Sequence, residues 1–266
     1  MIKKILKMFR RVKPKQNINI DYHLWTLLEA MSINKPGTLE NLLLPATSDI
    51  NIHFAADNER ARKVVRRSNY RMTGKFPSIK NGRMMHWESH YEKMAFQLLE
   101  IAPFVASYRE QPATFKFTNN EGLIQKHFPD LLVELVNGRK LFIEIKPDSA
   151  KEDSILVART SLLRVLIKQK GYRYLVVHPD QLKSFYYLEN AEEMLWHAKV
   201  PVPFPVQQKV KQYLSHEVEV TFKSLVHQLA DTQAKAWIYR LLMMGLINCD
   251  LTLKLTEQSI ITWKIK

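Results

Sequence analysis

Cysteine is almost absent from this chain of 266 residues, which contains only Cys249. One cysteine excludes an internal disulfide and any zinc site built from several cysteines, and it fits a reducing compartment. The chain also lacks a glycine-rich phosphate loop, which argues against nucleotide hydrolysis of the P-loop type. No apolar run reaches the length of a membrane span, because the most apolar stretch, residues 237–247, is short and contains Arg240. We therefore expect no membrane partner.

Acidic residues are scarce relative to basic ones, and the excess of positive charge is concentrated near the start of the chain. The net charge is +14, of which residues 1–86 contribute +11, with 17 Lys and Arg against 6 Asp and Glu. Two basic clusters, Lys3 to Lys15 and Arg60 to Arg83, account for most of this excess. Such clusters suit binding to nucleic-acid phosphates, with affinity that falls steeply as salt rises. For Lys3 to Lys15 a solvated basic tail is an equal alternative, and a membrane-surface or targeting helix is disfavoured.

Two β-prone runs at residues 131–136 and 139–146 are separated by Asn137-Gly138, a strong hairpin signal. Asp130 precedes the first run, and Glu144 and Lys146 share a face of the second, because side chains alternate along a strand.

The length of the hairpin loop decides whether these three side chains meet. A two-residue loop would set Asp130 opposite Ile145, on the wrong face. A three-residue loop, residues 137–139, with a bulge at a left-handed glycine pairs Val136 with Lys140 and sets Asp130 opposite Lys146. We therefore predict an odd-length loop or a bulge.

Asp130, Glu144 and Lys146 together predict metal-dependent phosphodiester chemistry. Two carboxylates on one surface repel each other unless a cation lies between them. Oxygen ligands suit Mg²⁺, which lowers the pKa of bound water and accepts a phosphate oxygen as a further ligand. A neighbouring lysine can orient the attacking water or offset developing charge. On the hairpin alone, an exposed strand face of ordinary charged residues explains the pattern equally well.

The residues around the hairpin carry a specific resemblance. Residues 85–100 have helical spacing, with Glu88 and Glu92 four residues apart on one face. The motifs follow in the order Ser89-x-x-Glu92, Leu98-Leu99-Glu100, Val105-x-x-Tyr108-x-x-Gln111-Pro112, Pro129-Asp130 and Glu144-x-Lys146-Pro147. Over roughly residues 60–200, this order resembles the TnsA family, the endonuclease subunit of heteromeric TnsA/TnsB transposases and a branch of the PD-(D/E)xK nucleases.

The resemblance implies a fold and a set of site residues. The fold would be α/β, a restriction-endonuclease-like mixed sheet with flanking helices. Glu92, Asp130, Glu144 and Lys146 match the family's catalytic positions, with Glu92, Asp130 and Glu144 as metal ligands. The cofactor would be Mg²⁺, with Mn²⁺ able to substitute. Gln111 follows the family's Gln-Pro motif and is expected to support the site indirectly.

Other charged residues near these motifs receive plainer interpretations. Glu88 is the rival to Glu92 for the site, but we interpret Glu88 and Glu100 as charges on a helix surface. His90, His127 and His178 show no metal-ligand spacing and are interpreted as structural or close to DNA.

Downstream of the hairpin the pattern predicts a helix over 155–169, a buried strand over 172–177 and a helix over 180–198. Strand, helix and strand in this order favour a mixed sheet with helices on its faces. The alternating prolines of residues 200–205 favour an extended connector. We therefore expect an endonuclease domain at residues 1–188 and a C-terminal domain at residues 189–266.

The C-terminal residues predict two helices, 221–229 and 233–247, with Asp231 as N-cap of the second. Residues 249–255 and 258–265 alternate like a terminal hairpin. This order resembles a small winged-helix-like domain. Because it contributes only +3 to the net charge, a protein partner is favoured over DNA.

The expected function is that of a Mg²⁺-dependent DNA endonuclease subunit of a bacterial transposase, in the cytoplasm and associated with the nucleoid. The resemblance implies cutting of the non-transferred (5′) strand at double-stranded transposon ends, with a TnsB-type transposase and a TnsC-type AAA+ ATPase. Two alternatives stay open: a stand-alone PD-(D/E)xK restriction or repair nuclease, and a non-catalytic DNA-binding assembly protein.

Overall fold

The structure is a computed structural model that describes residues 49–57, 59–62, 72–118, 122–217 and 219–263. The basic cluster Lys3 to Lys15 and residues 63–71 of the second basic cluster lie outside the described residues.

Strands dominate the first part of the described chain and helices the second. The strands are β1 (Ile50–Phe54), β2 (Gly74–Ser78), β3 (Arg83–Trp87), β4 (Val105–Glu110), β5 (Ala113–Thr118), β6 (Ile124–His127), β7 (Leu131–Leu135), β8 (Lys140–Ile145), β9 (Arg173–Val177), β10 (Val220–Thr221), β11 (Ile247–Asn248) and β12 (Ile260–Trp263). The helices are α1 (His90–Ile101), α2 (Ser154–Gln169), α3 (Pro179–Leu182), α4 (Tyr187–His197), α5 (Phe204–His216), α6 (Phe222–Leu229) and α7 (Ala234–Met243), with a 3₁₀ turn at Asp148–Lys151.

The central sheet has the strand order β4-β7-β8-β9, with β8 and β9 parallel and the other pairs antiparallel. Helix α2 connects the two parallel strands, as the sequence predicted, and the sheet is therefore mixed. Side chains of β7 and β8 alternate between two cores: Val133 and Ile143 pack on the face that includes α1, and Leu132 and Phe142 on the face that includes α2. This α/β arrangement is compatible with a restriction-endonuclease-like fold.

A second sheet, in the order β1-β5-β6, lies against the α2 side of the central sheet. Phe115 of β5 packs edge-on against Phe142 of β8, with ring centroids 4.8 Å apart. This packing places His127, at the end of β6, next to the central sheet.

The β7–β8 hairpin has an odd-length loop, as predicted, but a different register. Glu134 pairs with Lys140, and the Leu135 N–H donates to the carbonyl of Arg139. The loop is therefore residues 136–138, with Gly138 at φ 78°, and not residues 137–139. A glycine is required there because the left-handed conformation is strained for residues with a Cβ. The predicted pairing of Val136 with Lys140 is wrong.

Helix α1 begins later than its apolar spacing suggested. Residues 85–87 belong to β3, which pairs with β2, and the helix begins at His90 behind the N-cap Ser89. The Ser89 side chain accepts a hydrogen bond from the Glu92 N–H, which fixes the start of the helix. Met85 and Trp87, which fit the apolar spacing of a helix, are instead residues of β3 in a two-stranded antiparallel sheet.

The region after β9 differs in detail from the predicted elements. The expected helix over 180–198 is two helices, α3 and α4. The extended connector is shorter than predicted, because helix α5 begins at Phe204. Pro205 lies in the first turn of α5, where a backbone N–H would have no partner within the helix, so proline is tolerated there. The N-cap of α7 is Gln233, whose N–H bonds the Asp231 carboxylate.

The C-terminal strands form a small sheet in the order β10-β12-β11. Residues 249–255, predicted as a strand, are not one; β12 pairs instead with β11. In place of the predicted hairpin, β11 and β12 pair with each other although residues 249–259 separate them in the sequence. A winged-helix domain is not established. Helix α4 packs on α1, and Trp237 of α7 belongs to the same apolar core as Phe96. The domain boundary near residue 188 stays a prediction.

Within the described parts of the chain, no helix combines the length and hydrophobicity needed to cross a bilayer.

Candidate active site

Asp130 and Glu144 face each other across the β7–β8 hairpin. The observed register pairs Leu131 with Ile143, so one further step sets Asp130 opposite Glu144. Asp130 Oδ2 accepts a hydrogen bond of 2.7 Å from the Ile145 N–H, which holds its carboxylate over β8. The two carboxylates are therefore brought closer than predicted, because the expected partner of Asp130 was Lys146.

Glu144 is buried and lies between two basic side chains. Its Oε1 pairs with Lys146 Nζ, and its Oε2 lies 3.1 Å from His127 Nε2. Burial works to raise the pKa of Glu144, but His127 and then Lys146 outweigh it and hold this pKa below its ordinary value. Glu144 is thus an anion in the folded protein, although only 2% of its surface is exposed.

Asp130 has the opposite environment. Burial and then repulsion from Glu144 raise its pKa well above the ordinary value, and the charge of Glu92 raises it further. The Ile145 N–H and Lys146 oppose this shift without cancelling it. Two adjacent carboxylates with unlike proton affinities are typical of functional sites.

Glu92 lies near this pair, but its carboxylate accepts hydrogen bonds from the residues at the start of α1. Its Oε2 accepts from the Glu88 N–H at 2.8 Å, and its Oε1 accepts from the Ser89 hydroxyl at 3.1 Å. Burial raises its pKa. Ser89 is thus the N-cap of α1, and the Glu92 carboxylate holds the two residues that precede the helix. The catalytic role of Glu92 stays a prediction.

Glu88 connects a group of polar residues beside the site and is not a plain surface charge. Its carboxylate accepts from Gln111 Nε2 and pairs with Arg62 Nη2 at 2.7 Å, and only 12% of its side chain is exposed. Gln111 has φ 44°, and its N–H donates to the Asp130 carbonyl at 2.7 Å. A strained, non-glycine residue in this conformation is common at functional sites. Gln111 therefore supports Asp130 through the backbone.

Glu100 is also not a surface charge, because it is fully buried. Its carboxylate accepts from Ser78 Oγ, from the N–H groups of Ile79 and Lys80, and from the Tyr108 hydroxyl. The motif that ends in Glu100 thus fastens the β2–β3 hairpin to α1 and β4. Periodicity could not show this, since a glutamate on a helix is usually exposed.

The described members of the second basic cluster are largely engaged within the protein. Arg60 and Arg62 form ion pairs with Glu88, and Arg83 forms a bidentate ion pair with Glu110. The Lys80 ammonium donates to the carbonyls of Ala102 and Val105. The expected DNA contact of this cluster stays a prediction, and these pairs show that its arginines also hold the structure together.

The carboxylate oxygens of the pair are donors of the kind that hard divalent cations such as Mg²⁺ take. Glu144 Oε2 is buried and accepts no correctly directed hydrogen bond from a described residue, and neither does Gln111 Oε1. Such orphan acceptors are costly and suit a hydrated cation. The described residues contain no ready-made group of three His, Cys, Asp or Glu ligands. Asp130 and Glu144 would therefore hold the metal together with water and substrate oxygens, as Mg²⁺ commonly permits.

Sequence reasoning missed two residues beside the carboxylates. His127 contacts Glu144, and the Tyr174 hydroxyl lies 3.0 Å from His127 Nε2. Both side chains are buried. The sequence around His127 and Tyr174 indicates only that they belong to strands. It does not indicate that they lie beside Glu144, because the packing that brings β6 near β8 joins segments far apart in the sequence. His90 stacks on Trp87, and His178 Nδ1 lies 3.2 Å from the Pro147 carbonyl.

Comparison with known proteins agrees with this geometry. Residues 102–178 match the family model described as TnsA-like endonuclease N terminal. This range contains the hairpin, Gln111, His127 and Tyr174, but not Glu92. No curated protein matches the chain. Asp130, Glu144 and Lys146 lie inside the matched range, so this part of the chain is similar to a TnsA-like endonuclease N-terminal domain, which supports a TnsA family assignment.

Proposed function

We propose that this protein is a Mg²⁺-dependent DNA endonuclease subunit of a transposase, which cuts the non-transferred (5′) strand at transposon ends. The observation that carries the proposal is the Asp130–Glu144 pair with Lys146 beside it, inside a TnsA-like endonuclease domain. The α/β arrangement, which is compatible with a restriction-endonuclease-like fold, supports the same proposal.

Each side chain has a distinct task in this proposal. Asp130 and Glu144 hold the cation, which when bound supplies a positive charge against the phosphate oxygens and acidifies water. Lys146 has three N–H donors, and its ammonium, now paired with Glu144, is placed to hold the attacking water or the phosphate. Gln111 and Glu88 keep Asp130 and the start of α1 in place.

The proposed partners are a TnsB-type transposase, a TnsC-type ATPase and double-stranded DNA at transposon ends. The C-terminal part, from α5 onward, is the proposed contact for the ATPase. We propose that it acts as a winged-helix-like domain that binds this protein partner. Its packing against α1 would connect partner binding to the element that carries Glu92. Cytoplasmic location beside the nucleoid follows from this proposal.

The test is a reconstituted reaction with the recombinase and the ATPase on a duplex labelled on the 5′ strand. Asp130→Ala and Lys146→Ala should abolish the nick and leave assembly intact. Glu134→Ala is the matched control, because Glu134 is a carboxylate on β7 that pairs with Lys140 at 3.4 Å, on the hairpin but away from the site. Normal cutting by either site variant would refute the assignment.

The same reaction separates the alternatives. A stand-alone nuclease would cut without the recombinase and the ATPase. A non-catalytic assembly protein would bind DNA and both partners but would not cut with Mg²⁺ or Mn²⁺.

A further inference from the structure

Arg164 of α2 is a half-buried cation without a partner among the residues that the structure describes. It lines a groove together with Lys146, Thr160, Ser161 and His178. Its guanidinium makes no hydrogen bond or ion pair with any residue that the structure describes. Burial lowers the pKa of Arg164, which shows that its surroundings solvate the cation poorly. A guanidinium kept in such a place without a counter-charge favours an anionic ligand.

The other cations of the groove are already occupied. Lys151 donates to Asp148 and Asp180, at 2.7 and 2.8 Å, and Lys146 pairs with Glu144. Asp148 and Asp180 are exposed, and Lys151 and water offset their charge. Of the Lys and Arg side chains that line the groove in the described chain, Arg164 alone lacks a carboxylate.

The groove adjoins the carboxylate pair. Lys146 belongs to both, and the charge of Arg164 acts on the Tyr174 hydroxyl, which lies 3.0 Å from His127 Nε2. His127 Nε2 in turn lies 3.1 Å from Glu144 Oε2. An anion bound at Arg164 would therefore be a close neighbour of a phosphate held at Asp130 and Glu144.

We propose that Arg164 forms a second phosphate-binding subsite, which takes a backbone phosphate next to the one that is cut. This inference rests on the proposed function. A planar guanidinium can bind two phosphate oxygens at once, and this contact would fix the register of the strand against Lys146. Arg164 is then a substrate-binding residue, and Arg164→Lys should retain only part of its effect.

The experiment measures binding of a fluorescent transposon-end duplex to the full chain in EDTA, over a series of salt concentrations. Arg164→Gln should weaken binding ~10-fold and reduce the salt slope by about one, the expected loss of one phosphate contact. Lys168→Gln is the matched control. It removes one charge one turn further along α2, where Lys168 lines a different cleft. Thermal melting confirms that both variants fold.

The outcomes separate this inference from the proposed function. If wild type cuts DNA but Arg164→Gln binds and cuts like Lys168→Gln, the subsite is wrong and the endonuclease stands. If wild type never cuts, the proposed function fails, while the binding comparison still tests Arg164. If inorganic phosphate raises the melting temperature of wild type but not of Arg164→Gln, and duplex binding is equal, the site takes free phosphate and the DNA subsite is overturned.

Discussion

Removing the Glu100 carboxylate should be among the most destabilising single changes in the described chain. Glu100 is fully buried, and its two oxygens accept four hydrogen bonds from two segments, the β2–β3 hairpin and β4. Two of the donors, the N–H groups of Ile79 and Lys80, belong to the turn of the β2–β3 hairpin and have fixed directions. The change Glu100→Ala leaves these donors without an acceptor and leaves a void beside Tyr108.

The magnitude follows from the number of donors left behind. A buried donor without a partner costs about 1–3 kcal/mol, so the two backbone N–H groups alone cost roughly 2–6 kcal/mol. The Ser78 and Tyr108 hydroxyls can rotate and find other acceptors, and we count them as small. We expect a loss of about 4 kcal/mol, a large part of a domain's usual stability of about 5–15 kcal/mol.

The assay is urea unfolding followed by far-ultraviolet circular dichroism, with a thermal melt beside it. A loss of about 4 kcal/mol should lower the melting temperature by roughly 8–16 °C for a chain of this size. Glu100→Gln is the matched control. Its amide oxygen can accept from the two N–H groups, while its NH₂ donates to the two hydroxyls, so it should lose much less.

Two results would refute this reasoning. A loss below about 1 kcal/mol for Glu100→Ala would mean that water replaces the carboxylate at little cost. Equal losses for the alanine and glutamine variants would mean that the negative charge, and not the hydrogen-bond count, is what the site requires.

Three further predictions concern charge and packing. Burial lowers the pKa of Lys80 to about 8 in the folded chain. Because the unfolded chain binds more protons between about pH 8 and 10.5, wild-type stability should rise over that range relative to Lys80→Met, by up to about 3 kcal/mol in urea titrations; a constant difference would contradict this. Asp130→Asn removes the charge repulsion between Asp130 and Glu144, so it should raise the melting temperature measured in EDTA. The same variant should abolish cutting measured with Mg²⁺. A lower melting temperature would show that repulsion between the two carboxylates does not destabilise the folded protein. Asn190 donates to the carbonyls of Leu251 and Leu253, so Asn190→Ala should cost roughly 2–4 kcal/mol in urea unfolding, and a loss below about 1 kcal/mol would count against this.

The sequence predicted the central elements well where local signals were strong. The helix over 155–169, the strand after it and the hairpin at Asn137-Gly138 are all present. Each has a local cause: apolar residues spaced at 3.6 for the helix, a short apolar run with tyrosine and valine for the strand, and a glycine that can adopt positive φ for the hairpin. The loop was predicted one residue too late, which shifts the strand pairing by two residues, so that Lys140 pairs with Glu134 and not with Val136. The cause is that a three-residue loop can be placed in two ways around the same Asn-Gly.

The polar residues of the site were harder to assign than the apolar core. Glu88 and Glu100 both lie on or beside α1, where glutamate is usually solvated, yet each accepts hydrogen bonds from distant segments. Their hydrogen-bond partners come from positions 8 to 26 residues away in the sequence. A single sequence contains no signal for such pairings, since they depend on how β2, β3 and β4 are arranged around the helix.

The same limitation explains why His127 was not assigned to the site. Its own strand is short and mostly exposed, so neither periodicity nor spacing distinguishes it. The sheet β1-β5-β6 brings it to Glu144, and this contact changes the chemistry of the site. With His127 on one side and Lys146 on the other, Glu144 stays ionised while Asp130 holds its proton more tightly. The carboxylate pair thus carries less repulsion than two full charges would, and in the proposed function a cation between the two carboxylates would offset the repulsion that remains.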